Sequence, residues 1–196
     1  RVGGDRAIAL TTDPADDSRA AFSPDGERIA FRSERDGGGL FVMGATGESV
    51  RRVTDAGFDP SWSPDGRRLV YATEEVFDPV SRDGNSELWI VEVDSGGKTL
   101  LFSGDAVQPA WSRQGDRIAY WANTQGQRDL WTVAAAGGEP VAVTRDAATD
   151  WSPEWSPDGR SIYFTASDAG NVRGVYRIPA AGGTPQLVVR FDVPRL

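Results

Sequence analysis

Hydrophobic and polar residues alternate along the chain in short runs rather than in long helical periods. Four runs contain similar β-branched and aromatic clusters (Ile-Ala-Phe, Leu-Val-Tyr, Ile-Ala-Tyr and Ile-Tyr-Phe), and they lie at 28–33, 68–73, 116–122 and 161–166. Alternation with a period of two, in residues of this kind, is typical of half-buried strands. The pattern therefore predicts an all-β fold.

Each run follows an aromatic residue and a turn sequence. The motif Trp-Ser-Pro-Asp-Gly begins at Trp62 and at Trp155, a copy with phenylalanine begins at Phe22, and a weaker copy, Trp-Ser-Arg-Gln-Gly, begins at Trp111. The four aromatic residues are 40, 49 and 44 residues apart, which is the length of a propeller blade. Because proline presets one dihedral and glycine accepts a positive φ, we expect a hairpin turn in every copy, looser in the third.

Two more strands are predicted in each repeat. The first of them follows a polar loop, at 40–43, 87–93, 129–133 and 174–178, and the other follows a glycine turn, at 51–54, 99–102, 140–144 and 185–190. The short strand that carries the aromatic residue completes a set of four. We predict a single β-propeller region of four-stranded antiparallel blades, at about 18–54, 58–103, 107–144 and 151–190.

The two ends of the chain predict more than four blades. Residues 6–12 match the sequence around Val141 and are predicted to form the outer strand of a further blade, and 191–194 resemble the start of another. The chain begins Arg-Val-Gly-Gly, so we expect a processed or excised piece. Three arrangements fit: an arc of a six-bladed or larger ring, which we favour, a tight four-bladed ring, or a homodimer that completes an eight-bladed ring.

The unit Trp-Ser-Pro-Asp-Gly-x-x-Ile-Ala-Tyr, followed by Leu-Trp-x-Val and a Gly-Gly turn, resembles the repeat of the TolB-like, WD-like β-propeller family from about residue 3 to 190. It is similar to the propeller regions of bacterial multidomain Ser/Thr kinases and winged-helix regulators. Members of the family are commonly six-bladed, so the resemblance implies further blades. It also implies a protein partner in the periplasm or cell envelope, or a sensor outside the membrane.

The residues that repeat are predicted to be structural. Large rings bury the most area per residue, so we expect one ring per blade to pack between neighbouring blades; these rings are Phe22, Trp62, Trp111 and Trp155. Aspartate in a turn accepts a hydrogen bond from the backbone two residues on, and this role is predicted for Asp25, Asp65 and Asp158.

Composition narrows the chemistry that the chain can perform. It contains no Cys and no His, which excludes a Ser-His-Asp unit, a disulfide framework and the usual zinc and iron–sulfur ligands within the chain. We predict no metal site, no cofactor and no enzymatic activity for this region. With 21 basic and 29 acidic residues the net charge is −8, so we expect no nucleic-acid partner, and the lack of a long apolar run predicts no membrane insertion.

The distribution of acidic residues predicts a docking surface. The connectors between blades are acidic, and the loop at 74–86 is longer than its equivalents in the other repeats. In an up-and-down blade the connectors and this loop share one face of the disc, so the rim either is simply solvated or docks a basic protein or peptide. The candidate binding residues are Asp59, Glu75, Phe77, Asp78, Arg82, Asp83, Asp105, Asp150 and Trp151.

A second candidate site is the mouth of the central channel. The residues three positions before each repeated aromatic begin the innermost strands and differ in type; they are Arg19, Asp59, Gln108 and Ser152. We predict a non-catalytic scaffold for protein interaction or ligand sensing in a larger bacterial protein, with a periplasmic or other extracytoplasmic location favoured. The alternatives are the gating propeller of a prolyl-oligopeptidase-like serine peptidase, and a glycan-binding or glycan-cleaving propeller.

Overall fold

The computed structural model describes residues 8–167, 170 and 172–191. Within them the chain forms sixteen strands and one short 3-10 turn at Arg35–Gly37. The strands are β1 (Asp17–Phe22), β2 (Arg28–Ser33), β3 (Gly39–Gly44), β4 (Arg51–Arg52), β5 (Phe58–Trp62), β6 (Arg68–Ala72), β7 (Leu88–Glu92), β8 (Lys98–Phe102), β9 (Val107–Trp111), β10 (Arg117–Thr124), β11 (Gln127–Ala134), β12 (Val141–Ala142), β13 (Thr149–Trp155), β14 (Ser161–Ser167), β15 (Arg173–Pro179) and β16 (Gln186–Arg190). The predicted all-β fold is confirmed.

The strands form four blades in chain order, which we number I to IV. Blades I and II are the separate sheets β1-β2-β3-β4 and β5-β6-β7-β8, and every neighbouring pair within them is antiparallel. Blades III (β9–β12) and IV (β13–β16) repeat that order and are joined by one parallel bridge between Arg128 and Thr149. The outer strands β4 and β12 are two residues long, shorter than predicted. No helix in the described part of the chain is long and apolar enough to cross a membrane.

The repeated turn is held by a small hydrogen-bond set. In blade I the hydroxyl of Ser23 donates to Asp25, at 2.5 Å, and Asp25 accepts the backbone N–H of Glu27 at 3.0 Å. These bonds favour the ionised carboxylate and hold the pKa of Asp25 below its usual value. In blade III Ser112 donates instead to Asp116, at 2.9 Å. The same backbone bond from glycine to serine closes the turn in all four blades, so the third turn is not looser.

Two of the three tryptophans of the motif donate a hydrogen bond to the blade before them, whereas the indole N–H of Trp111 donates within its own blade, to the carbonyl of Gly115 at 3.2 Å. The indole N–H of Trp62 donates to the carbonyl of Ala21 at 2.9 Å, and that of Trp155 donates to the carbonyl of Ala110 at 3.0 Å. Trp62 and Trp111 are each 6% exposed. Phe22 is 65% exposed, so the prediction that it packs between blades is wrong. The reason is that no blade precedes blade I among the described residues.

The outward face of blade I is covered by the segment before β1. Leu10 packs against the cluster of Ile29, Phe31, Phe41 and Met43, all of which are buried. The Arg35 guanidinium lies 5.4 Å from the ring centres of both phenylalanines. Residues 8–12 form no strand, while residues 6, 7 and 192–194 lie outside the described residues. The further blades assigned to 6–12 and 191–194 stay predictions.

Candidate functional site

The four innermost strands lie next to one another, in the order β1, β5, β9, β13, along one channel. Residues of β1, β5, β9 and β13 line a cavity of about 770 Å³. Each of these strands departs from regular pairing at the same place, where one residue has a positive φ: Arg19 (55°), Asp59 (50°), Gln108 (49°) and Ser152 (52°). Such bulges re-aim a side chain, and here they bring the four predicted channel-mouth residues to the wall of one cavity.

The four channel-mouth residues form two pairs. The Nε of Arg19 lies 3.5 Å from the Oδ1 of Asp59. The Oε1 of Gln108 accepts hydrogen bonds from the backbone N–H and the hydroxyl of Ser152, at 3.2 and 3.1 Å, and from the indole N–H of Trp121 at 2.7 Å. One side of the mouth is therefore charged and the other side is neutral.

Asp59 is the channel-mouth residue with unused hydrogen-bonding capacity. Its side chain is 14% exposed, and its Oδ2 has no hydrogen-bond partner among the described residues. Burial raises the pKa of this carboxyl above its usual value, and the nearby Arg19 opposes that effect. A carboxylate oxygen in this state is suited to accept a hydrogen bond from a cationic or N–H group that enters the channel.

The long loop, which we define as residues 73–86, is fixed to blade III by Arg82. The side chain of Arg82 is 3% exposed and donates to Asp105, with Nη1 to Oδ2 at 2.8 Å, and to Glu74 at 2.6 Å. Its guanidinium lies 5.3 Å from the ring centre of Trp121. Asp105 also accepts the backbone N–H of Asn123 at 2.6 Å. Arg82 and Asp105 are therefore engaged with each other, and their predicted place in an exposed docking surface is wrong.

The other end of the long loop contacts the channel mouth through Arg19. Arg19 donates to the carbonyl of Val76 at 2.9 Å, and the same nitrogen lies 3.5 Å from Glu75. Between the two anchors Phe77 is 86% exposed. Asp78 accepts the backbone N–H of Val80 and the hydroxyl of Ser81, so it holds the local turn while its carboxylate stays at the surface. Asp83 is also exposed.

Asp150 and Trp151 do not belong to the exposed rim. Asp150 is 1% exposed, and Trp151 is half-buried against the core that blades II, III and IV share. Burial raises the pKa of Asp150 to about 7, and the neighbouring carboxylates of Asp146 and Asp129 add to this effect. A charge at this depth cannot meet a partner that docks on the rim. The prediction for these two residues is therefore corrected.

The raised pKa of Asp150 predicts a pH-dependent stability. Between about pH 4, near the usual carboxyl pKa, and about pH 7, near the pKa in the folded state, Asp150 is protonated in the folded chain and ionised in the unfolded chain. The free energy of unfolding therefore falls as pH rises through this range, by at most about 4 kcal/mol. Asp150→Asn should remove this slope and raise the free energy of unfolding at pH 8 by about 1–3 kcal/mol. Chemical denaturation at several pH values measures the free energy of unfolding of each variant, and Asp16→Asn, at an exposed position, is the control. Parallel pH curves for wild type and Asp150→Asn would contradict this account.

Four antiparallel blades arranged around a polar channel define a β-propeller domain. The chain belongs to the TolB β-propeller domain family, whose model matches residues 58–192.

Relatives of known sequence agree with this assignment. The chain is 33% identical over 147 residues to a TolB homolog of Chlorobium chlorochromatii, covering 72% of this chain and 32% of that protein. It is 29% identical over 154 residues to an uncharacterized protein of Agrobacterium fabrum, covering 76% of this chain and 50% of that protein. It is 32% identical over 112 residues to the uncharacterized peptidase YuxL of Bacillus subtilis, covering 56% of this chain and 17% of that protein. The chain thus spans half or less of the length of these relatives.

A solved structure shows the same fold. TolB from Acinetobacter baumannii superimposes with a TM-score of 0.79 at 16% identity, over 98% of this chain and 48% of that one.

Proposed function

We propose that this domain is a non-catalytic binding module that docks a basic protein segment on the face carrying the long loop and the channel mouth. The observation that carries the proposal is the long loop, which Arg82 anchors at one end and Arg19 at the other. Phe77 lies between these anchors and is 86% exposed. An exposed aromatic side chain on a fixed loop, with charged residues nearby, matches the aromatic core and polar rim of protein interfaces.

Charge supports a basic partner. Asp78 and Asp83 are exposed on the same loop as Phe77, Glu75 lies beside the channel, and the net charge of the chain is −8. Carboxylates on one face raise the local concentration of a cationic segment and speed its association. Because the loop is already held before binding, little conformational freedom is lost when the partner docks.

The setting of the domain is part of the proposal. We propose that it belongs to a larger bacterial protein in the periplasm or another extracytoplasmic location. A ring closed by a second copy is less favourable, because Phe31 and Phe41 on the outward face of blade I are already only 2% and 3% exposed. A second chain would have to displace Leu10 from that face.

Removing the two exposed charges of the long loop should weaken binding. The double variant Asp78→Asn, Asp83→Asn should bind a lysine-rich peptide at least tenfold more weakly than wild type in calorimetry at low salt. Asparagine keeps one oxygen that can accept the backbone N–H of Val80, and its NH2 group can donate to the Ser81 hydroxyl in place of the second bond, so the fold should persist. The matched control is Asp94→Asn with Glu139→Gln, two exposed acids in turns on the opposite face, and it should bind like wild type. Equal loss in both double variants, or loss in neither, would contradict the proposal.

The likeness to the Bacillus subtilis peptidase favours a second candidate. In this case the propeller would gate access to a hydrolase domain elsewhere in the parent protein. The parent sequence separates the candidates, because a serine hydrolase carries a Gly-x-Ser-x-Gly elbow. A parent protein with that motif that cleaves a prolyl peptide substrate would replace the first candidate with the second.

A further inference from the structure

A second cleft lies away from the channel, between the connector after β12 and the sheet of blade IV. Its volume is about 330 Å³. Its walls include Phe164, Ala166, Tyr176 and Pro185, and the ring centres of Phe164 and Tyr176 are 6.0 Å apart. The cleft is therefore lined mainly by apolar and aromatic side chains and is large enough for a small organic molecule.

Asp150 contributes a buried carboxyl to the lining of this cleft. It is 1% exposed, and its Oδ2 has no hydrogen-bond partner in the part of the chain that the structure describes. The charged groups that act on this region are Asp129 on β11 and Arg145 and Asp146 on the connector. The described side chains do not converge into a metal-ligand set. A buried carboxyl without a counter-charge is costly, so a cation that reached it would be held strongly.

Comparison of the blades shows which group pairs with a carboxylate at the position of Asp150. Asp17 in blade I occupies the position of Asp150, since Asp17 pairs with Ser33 across the strands as Asp150 pairs with Ala166. Asp17 is satisfied by the Arg35 guanidinium, which donates to its two oxygens at 2.9 and 2.8 Å.

The other three blades lack either an acidic residue at the position of Asp17 or an arginine at the position of Arg35. Blades II and III have Gly57 and Ala106 at this position. In blade IV the acid is present, but the position that corresponds to Arg35 is Asp168 in the sequence. Blade IV thus keeps the carboxylate, while the sequence has an acid at the position that holds the cation in blade I.

We propose that this cleft binds an organic ammonium ion, a primary amine with an apolar body about the size of one aromatic ring. The ammonium group takes the place at Asp150 that the Arg35 guanidinium takes at Asp17. The apolar body packs against Phe164 and Pro185. The residues that line this cleft are distinct from those of the long loop and the channel mouth.

Calorimetry with a matched pair of ligands tests the proposal. The whole chain at pH 8 should bind 2-phenylethylamine saturably, and it should bind the neutral analogue 2-phenylethanol at least tenfold more weakly. Asp150→Asn should lower the affinity for the amine at least tenfold, while Asp16→Asn should leave it unchanged. Equal binding of the two ligands, or amine binding that survives Asp150→Asn, would overturn the site.

A measurement on the wild-type chain does not depend on the folding of a variant. The side-chain carboxyl carbon of Asp150, followed by NMR through a pH titration, should show a lower pKa in saturating 2-phenylethylamine than without it, because the ammonium favours the ionised form. With 2-phenylethanol the pKa should stay where it is. A pKa that the amine does not move would show that the ammonium never reaches Asp150.

Discussion

Trp62→Ala should lower the free energy of unfolding by about 3–5 kcal/mol, the usual cost of deleting a large buried side chain. Trp62 is 6% exposed and lies in the cluster that joins blades I and II, with Ala30, Leu69 and Tyr71. The variant also removes the indole donor that the carbonyl of Ala21 accepts at 2.9 Å. The expected loss therefore combines a cavity between two blades with a broken hydrogen bond.

The repeat offers a matched control for this prediction. Phe22 occupies the equivalent position in blade I but is 65% exposed, so Phe22→Ala should change the free energy of unfolding by less than about 1 kcal/mol. Urea denaturation followed by tryptophan fluorescence and circular dichroism measures both variants. Similar losses in the two variants would mean that the aromatic residue acts within its own blade rather than between blades.

Arg82→Met should cost about 3–5 kcal/mol and release the long loop. Methionine keeps an apolar stem beside Trp121 but leaves Asp105, whose side chain is 13% exposed, without its cation. Hydrogen exchange should rise in residues 73–86, and the lysine-rich peptide should bind more weakly because the loop must be ordered on binding.

A surface ion pair provides the comparison for Arg82. Lys98 pairs with Asp55 at 2.6 Å, with side chains 37% and 73% exposed, so Lys98→Met should cost no more than about 1 kcal/mol. Equal stability losses in Arg82→Met and Lys98→Met would mean that the buried network does not hold the loop.

The parts of the fold that follow local rules could be predicted from the sequence. The strand 28–33 is predicted to the residue, because alternation and turn residues specify it within a short segment. The capping of the turns at Asp25, Asp65 and Asp158 follows from bonds between residues two apart. The family assignment depends on the same local motif, repeated in register.

The predictions that were wrong concern residues whose surroundings are set by segments distant in the sequence. Phe22 has the same local sequence as Trp62, but among the described residues no blade precedes it, and its ring is 65% exposed. Arg82 and Asp105 are 23 residues apart, and no local pattern indicates that they pair rather than face solvent. Asp150 looks like other connector acids in the sequence, and its burial depends on the packing of blade IV.

The candidate site divides in the same way. The positions of Arg19, Asp59, Gln108 and Ser152 follow from the register of the repeat. The register does not show which of these four side chains form pairs. Arg19 pairs with Asp59 and Gln108 pairs with Ser152, and in each case the two side chains belong to different blades. Trp121 carried no signal in the sequence, since a ring in an alternating strand is usually only core.

NMR mapping of a bound lysine-rich peptide tests whether the face with the long loop and the channel mouth is a docking surface. Amide shift changes should be concentrated at the channel mouth and at residues 74–83, including Asp59 and Phe77, and they should decrease as salt is raised. Shift changes spread over the outer strands, or concentrated in the turns around Asp94 and Glu139, would contradict that role.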